Sequence, residues 1–107
     1  MSSVPDRALL RRELRQRRRD LPAATRIAAA NTLADRLLAL PFLPSSGHVA
    51  GYWAMDGEIG LHAFQLRLPP SLTYCLPLLH ADETLRFAPW RSGAPLVTNR
   101  FGIPEPD

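Results

Sequence analysis

Lysine is missing from the 107-residue sequence, and cysteine occurs once. Cys75 alone closes no intramolecular disulfide, and without a second cysteine there is neither a Cys-x-x-Cys redox pair nor a zinc cluster. The cysteine usage therefore points to a reducing compartment. No stretch approaches the roughly 18 apolar residues of a membrane span, and Met1–Asp6 has neither the charged start nor the apolar run of a secretory signal. The chain reads as cytoplasmic. Neither G-x-x-x-x-G-K-[ST] nor G-x-G-x-x-G occurs, which removes the simplest phosphate-binding loops, and Ser45-Ser46-Gly47 forms no nucleophile elbow. His48, His62 and His80 stand at no metal-ligand spacing. Two full domains do not fit this length; one domain, or part of a larger one, does.

What is present is a globular composition, 46% hydrophobic and 21% charged, sufficient to build a core. Its thirteen basic residues are all arginine, and seven of them fall within residues 1–19 against Asp6 and Glu13. That segment carries +5 and the remainder −2, so the basic character is local.

Residues 6–20, DRALLRRELRQRRRD, set Leu10 and Leu14 one turn apart among arginines, which predicts a helix with a narrow apolar stripe and Asp6 as N-cap. Pro22 suits the first position of a second helix. Ile27, Ala30, Leu33, Ala34, Leu37 and Leu38 carry that helix to about Leu40, and Pro41 and Pro44 stop it. HVAGYW then reads as a buried strand, MDGE as a turn, Leu61–Leu66 as a brief helix and Leu72–Leu76 as a second strand. Strand, helix and strand in this space imply a right-handed crossover and a parallel pair. Leu85–Ala88 reads as a third short strand before a turn-rich tail, and Cys75 as a buried, inert thiol within its strand.

Ligands of open parallel sheets sit outside the carboxyl ends of the strands. Gly51-Tyr52-Trp53-Ala54-Met55-Asp56-Gly57-Glu58 lies there, with flat or soft apolar side chains for a ring system and a carboxylate able to accept ring N–H groups. Read from these residues alone, a plain turn at Gly57 with Glu58 capping the next helix is the stronger of the two readings. Arg7, Arg11, Arg15 and Arg18 form one ridge of the first helix, Arg12 and Arg19 another. Such a ridge can hold phosphate through guanidinium forks, or it can be a solvated face. A non-catalytic module binding RNA or another polyanion through this helix is the alternative, weakened because no aromatic residue interleaves with the arginines.

Several segments in order resemble one family. Arg7-Ala8-Leu9-Leu10-Arg11 with Glu13-Leu14-Arg15, Tyr52 to Ile59, Leu76-Pro77, Leu85 to Trp90 and Phe101 to Pro106 are similar to 5-formyltetrahydrofolate cyclo-ligase, also called methenyltetrahydrofolate synthetase. The resemblance implies a three-layer α/β/α sandwich on a mainly parallel sheet, with residues 1–107 as its N-terminal half, a single incomplete domain. It implies ATP- and magnesium-dependent closure of 5-formyltetrahydrofolate to 5,10-methenyltetrahydrofolate. In the family reaction the formyl oxygen attacks the γ-phosphate, N10 attacks the resulting imidate phosphate, and phosphate leaves. Arg7 and Arg11 match the positions that contact ATP phosphates, Arg7 standing where lysine is usual. Glu58 matches the folate-binding glutamate, with Trp53 and Met55 beside it as an apolar wall. The family's glycine-rich loop ending in Tyr-Tyr-Asp, which supplies phosphate donors, folate contacts and a magnesium ligand, has no counterpart in these residues. The expectation is that the 107-residue chain alone is inactive or very weak.

Overall fold

The computed structural model describes residues 6–107; Met1–Pro5, read above for a secretory start, lie outside the described residues. Helix α1 spans Arg7–Asp20. It begins where predicted, because the Asp6 carboxylate accepts the otherwise unpaired N–H groups of Ala8 and Leu9 at 3.0 and 3.4 Å. Arg17, Arg18 and Arg19 fill its last turn, where cations favour the dipole. Helix α2 spans Ala23–Leu38, so Pro22 sits at the N-cap, one position earlier than expected, and the helix stops two residues short of Leu40.

Strand β1 (Gly47–Ala50), helix α3 (His62–Arg67) and strand β2 (Leu72–Leu79) form the predicted crossover, with Gly47 opposite Leu72 and Ala50 opposite Cys75 in parallel register. Strand β1 nevertheless ends at Ala50, short of Trp53, and as an edge strand is largely exposed rather than buried. Strand β3 (Leu85–Pro89) pairs with β2 antiparallel, from Cys75 opposite Pro89 to Leu79 opposite Leu85. The sheet, ordered β1-β2-β3, is therefore mixed rather than mainly parallel. The reason is spacing: only residues 80–84 separate β2 from β3, enough for a tight turn and far too few for a crossover, which needs about a dozen. Residues 90–107, read as turns, also hold a hairpin, β4 (Leu96–Thr98) with β5 (Pro104–Pro106). Three-residue strands, one of them Pro-Glu-Pro, leave no alternation to detect.

Ala34 of α2, Phe64 of α3, Tyr74 and Leu76 of β2, and Trp90 form the core, Leu76 being only 1% exposed. The hairpin is hooked to the sheet by Glu105, 8% exposed, whose Oε2 accepts the Leu79 N–H at 3.0 Å and the Asn99 amide at 3.2 Å. No described residue of α1 is buried, and Leu9, Leu10 and Leu14 stay exposed. The radius of gyration, 16.4 Å, exceeds the roughly 13 Å of a compact chain of this length, in keeping with a helix so little covered. Among the described residues no helix is long and apolar enough to cross a membrane.

Candidate functional site

Gly51 follows β1 directly, and its N–H donates to the Cys75 carbonyl at 2.9 Å, extending the strand pairing by one bond. A Cβ there would fall 2.1 Å from the Tyr74 hydroxyl, so the Tyr74 ring occupies the space of a side chain and requires glycine. Beyond it the chain leaves the sheet as a loop clasped at both ends. The Tyr74 hydroxyl donates to the Tyr52 carbonyl at 3.4 Å, and the Tyr52 hydroxyl donates to the Ile59 carbonyl at 2.5 Å.

Within the clasp, Met55–Glu58 is a turn with Asp56 at φ 53 and Gly57 at φ 74. Positive φ at both central positions is the type I′ pattern, for which Asp-Gly is a favoured pair. Two reciprocal bonds close it: the Glu58 N–H donates to the Met55 carbonyl, and the Met55 N–H donates to Glu58 Oε1, both at 2.9 Å. Glu58 thus caps its own turn rather than the helix that follows.

Two cavities flank this loop and share Ala54 and Gly60 as a common wall. The first, about 500 Å³, is walled by Tyr52, Trp53, Tyr74, Leu76 and Trp90, with His62, Gln65 and Ser92 as polar members. Trp53 and Trp90 meet edge to face, centroids 5.7 Å apart at 80°, a favoured geometry that fixes the wall. The second, about 560 Å³, lies between the α1–α2 corner and the loop, lined by Leu21, Ile27 and Ile59 with Arg18, Arg26 and Glu58. An apolar hollow bordered by two guanidiniums and one carboxylate suits a flat ligand bearing both N–H donors and negative charge.

The basic helix meets the loop at Asp56. Arg18 Nε donates to the Asp56 carbonyl at 3.3 Å, and Arg19 Nη2 pairs with Asp56 Oδ1 at 2.5 Å. Partial burial and the nearby Glu58 charge raise the Tyr52 pKa above its ordinary value, keeping the phenol a donor. Burial also raises Tyr74, with the neighbouring Tyr52 adding to the rise and the bond to the Tyr52 carbonyl opposing it.

Of the residues expected from the sequence, Trp53, Met55 and Glu58 share this loop, yet Trp53 lines the aromatic cavity and Glu58 the second one. Met55 lines neither; its backbone serves the turn. Arg7 and Arg11 are exposed on α1. At 1.5 Å rise per residue they lie roughly 16 and 10 Å along the helix from Arg18, the contact point. Sequence reasoning passed over Tyr74, Trp90 and Asp56 as site residues. The Asp56-Gly57 pair was the available signal for the turn, whereas nothing local marks Tyr74 or Trp90, which reach the cavity through sheet pairing. Among the described residues no three His, Cys, Asp or Glu side chains converge to hold a metal ion. Comparison with protein families, curated proteins and solved structures found no match to this chain.

Proposed function

We propose that this chain carries the folate-binding loop and phosphate-binding helix of a 5-formyltetrahydrofolate cyclo-ligase, which uses ATP and magnesium to form 5,10-methenyltetrahydrofolate. The observation that carries the reading is that a single turn, Met55–Glu58 beyond the carboxyl end of a parallel strand, bears the Glu58 carboxylate, borders the Trp53 wall and receives the arginine-rich helix. The reaction demands a negative, transferring phosphoryl group held beside a flat, N–H-bearing ring, and those are the two ligand chemistries this corner supports.

In this reading Glu58 accepts ring N–H groups while keeping the Met55 N–H, since a carboxylate has acceptor capacity for both. Leu21, Ile27 and Ile59 give the ring beside Glu58 its apolar wall. Trp53 and its neighbour Trp90 wall the adjoining cavity across Ala54 and Gly60 for the rest of the folate, and Met55 acts through the turn. Arg7 and Arg11 neutralise phosphate charge. In this reading magnesium comes with the nucleotide's phosphates, as it commonly does, and takes its protein ligand from the family's Tyr-Tyr-Asp loop. The full three-layer sandwich is part of the same proposal.

The test is ATP-dependent appearance of 5,10-methenyltetrahydrofolate. Residues 1–107 contain no glycine-rich Tyr-Tyr-Asp segment, and one lost phosphate donor alone is worth about 3 kcal/mol in the transition state. Turnover far below that of a complete cyclo-ligase is therefore expected. A rate within tenfold of a complete enzyme would overturn the role given to that segment.

A further inference from the structure

We infer that Asp56 and Gly57 form the joint that sets helix α1 against the ligand-binding loop, with Asp56 as the positioning residue. The inference rests on the reading of loop and helix as two halves of one site.

Three independent features meet at this joint. Among the described residues, every side-chain hydrogen bond or ion pair that leaves α1 for another part of the chain ends on Asp56: Arg18 on its carbonyl, Arg19 on its carboxylate. The backbones are also in direct contact. A Cβ on Gly57 would lie 3.1 Å from the Arg18 carbonyl carbon, Arg18 Cβ and Arg19 N, so α1 rests on a position where a side chain would press the helix away by a few tenths of an ångström. Finally, Asp56 and Gly57 both hold positive φ, a fixed turn conformation that aims the Asp56 carbonyl and carboxylate at two successive arginines.

Because no described residue of α1 is buried, packing adds little to this anchoring. The geometry then acts as a lever. Tilting α1 by roughly 20° about the joint would displace Arg7 by roughly 5–6 Å and Arg11 by roughly 3–4 Å, given 1.5 Å rise per residue. Displacements of that size separate a phosphate-binding guanidinium from a nucleotide whose γ-phosphate must reach a ring held at the loop. Asp56 thus couples two ligands without touching either.

Asp56→Asn separates this role from turn formation, because asparagine tolerates positive φ as aspartate does while the ion pair is lost. Nitroxides placed at Ala8→Cys on α1 and Leu66→Cys on α3 report the arm directly, both positions being exposed and Cys75 buried. The expected result is one narrow distance distribution for the parent chain and a clearly broadened one for Asp56→Asn and for Arg19→Ala, the double variant broadening no further. Gly57→Ala should shift the mean distance. An unchanged distribution in Asp56→Asn, or a broad one already in the parent chain, overturns the joint. A second measurement reads the coupling with ATP-Mg and 5-formyltetrahydrofolate as probes. Bound 5-formyltetrahydrofolate should raise ATP affinity at least threefold in the parent and not in Asp56→Asn, with folate affinity alone kept within twofold. Coupling that survives in Asp56→Asn refutes the positioning role. Absence of binding by either ligand, with the distance result as expected, refutes the functional reading and leaves the joint standing.

Discussion

Replacing Glu58 separates its two possible duties, because the structure gives one of them a specific bond. Glu58 Oε1 accepts the Met55 N–H at 2.9 Å and so helps close the turn. Glutamine keeps a carbonyl oxygen for that bond, loses the charge, and offers an N–H where a ligand N–H must be met. Alanine loses the turn bond as well. Hydrogen bonds to a charged acceptor contribute about 1.5–3 kcal/mol, so Glu58→Gln should weaken 5-formyltetrahydrofolate binding roughly 10- to 150-fold. Its stability should hardly change. Glu58→Ala should show the same loss of affinity and, in addition, lose about 0.5 kcal/mol of stability, the low end of the range for a hydrogen bond because Glu58 is exposed. At about 4–8 °C per kcal/mol for a chain near this size, that is a fall in Tm of roughly 2–4 °C. Both tryptophans of the chain border the aromatic cavity beside the loop, so quenching of their fluorescence provides the titration, with ATP affinity and Tm as controls. Glutamine binding 5-formyltetrahydrofolate as tightly as the parent, with only alanine losing stability, would refute the ligand role and leave Glu58 as a turn residue.

Arg7→Ala and Arg11→Ala should each weaken ATP by about fivefold at low salt, as expected for one exposed charge-assisted contact, with a smaller effect at high salt and unchanged folate affinity; equal ATP affinity in a low-salt titration would argue against the ridge. Tyr74 has a raised pKa, so its contribution to stability is complete below about pH 10, the ordinary tyrosine value, and is lost as pH rises through the higher folded value. Tyr74→Phe should flatten that alkaline loss, and a melting series in which parent and variant fall together above pH 10 would contradict it. Glu105→Ala leaves the Leu79 N–H and the Asn99 amide without their shared acceptor, at about 1 kcal/mol for each, the low end for an unpaired donor because both are only partly buried. A urea midpoint indistinguishable from the parent would show that the hook carries no stability.

Local rules made part of this fold legible. The α1 start at Asp6, the α2 stripe around Ala34 and the parallel β1–β2 pair all follow from signals within a few residues of where they act. The antiparallel β3 was within reach as well, since even the expected gap from Leu76 to Leu85 is too short for a crossover. The β4–β5 hairpin was not, because Asn99 shapes it through its own side chain, accepting the Phe101 and Ile103 N–H groups, and Glu105 secures it from within. The site divides in the same way. Its turn is written in Asp56-Gly57-Glu58, but the aromatic wall depends on Tyr74 and Trp90, which reach Trp53 and Gly51 only through strand register and packing. The exposed Leu10 and Leu14 show the limit of periodicity: a helical apolar stripe identifies the helix without naming what it rests against.

The most direct test of the central claim is a backbone and indole amide NMR titration of the chain with 5-formyltetrahydrofolate, followed by ATP-Mg. Saturable shifts confined to Trp53–Gly60 and the Trp53 and Trp90 indole N–H groups, then at Arg7–Arg19 when nucleotide is added, are the predicted result. No saturable shift in the Trp53–Gly60 loop, or shifts along α1 alone with RNA producing them more strongly than ATP, would contradict the folate site and favour a polyanion-binding helix.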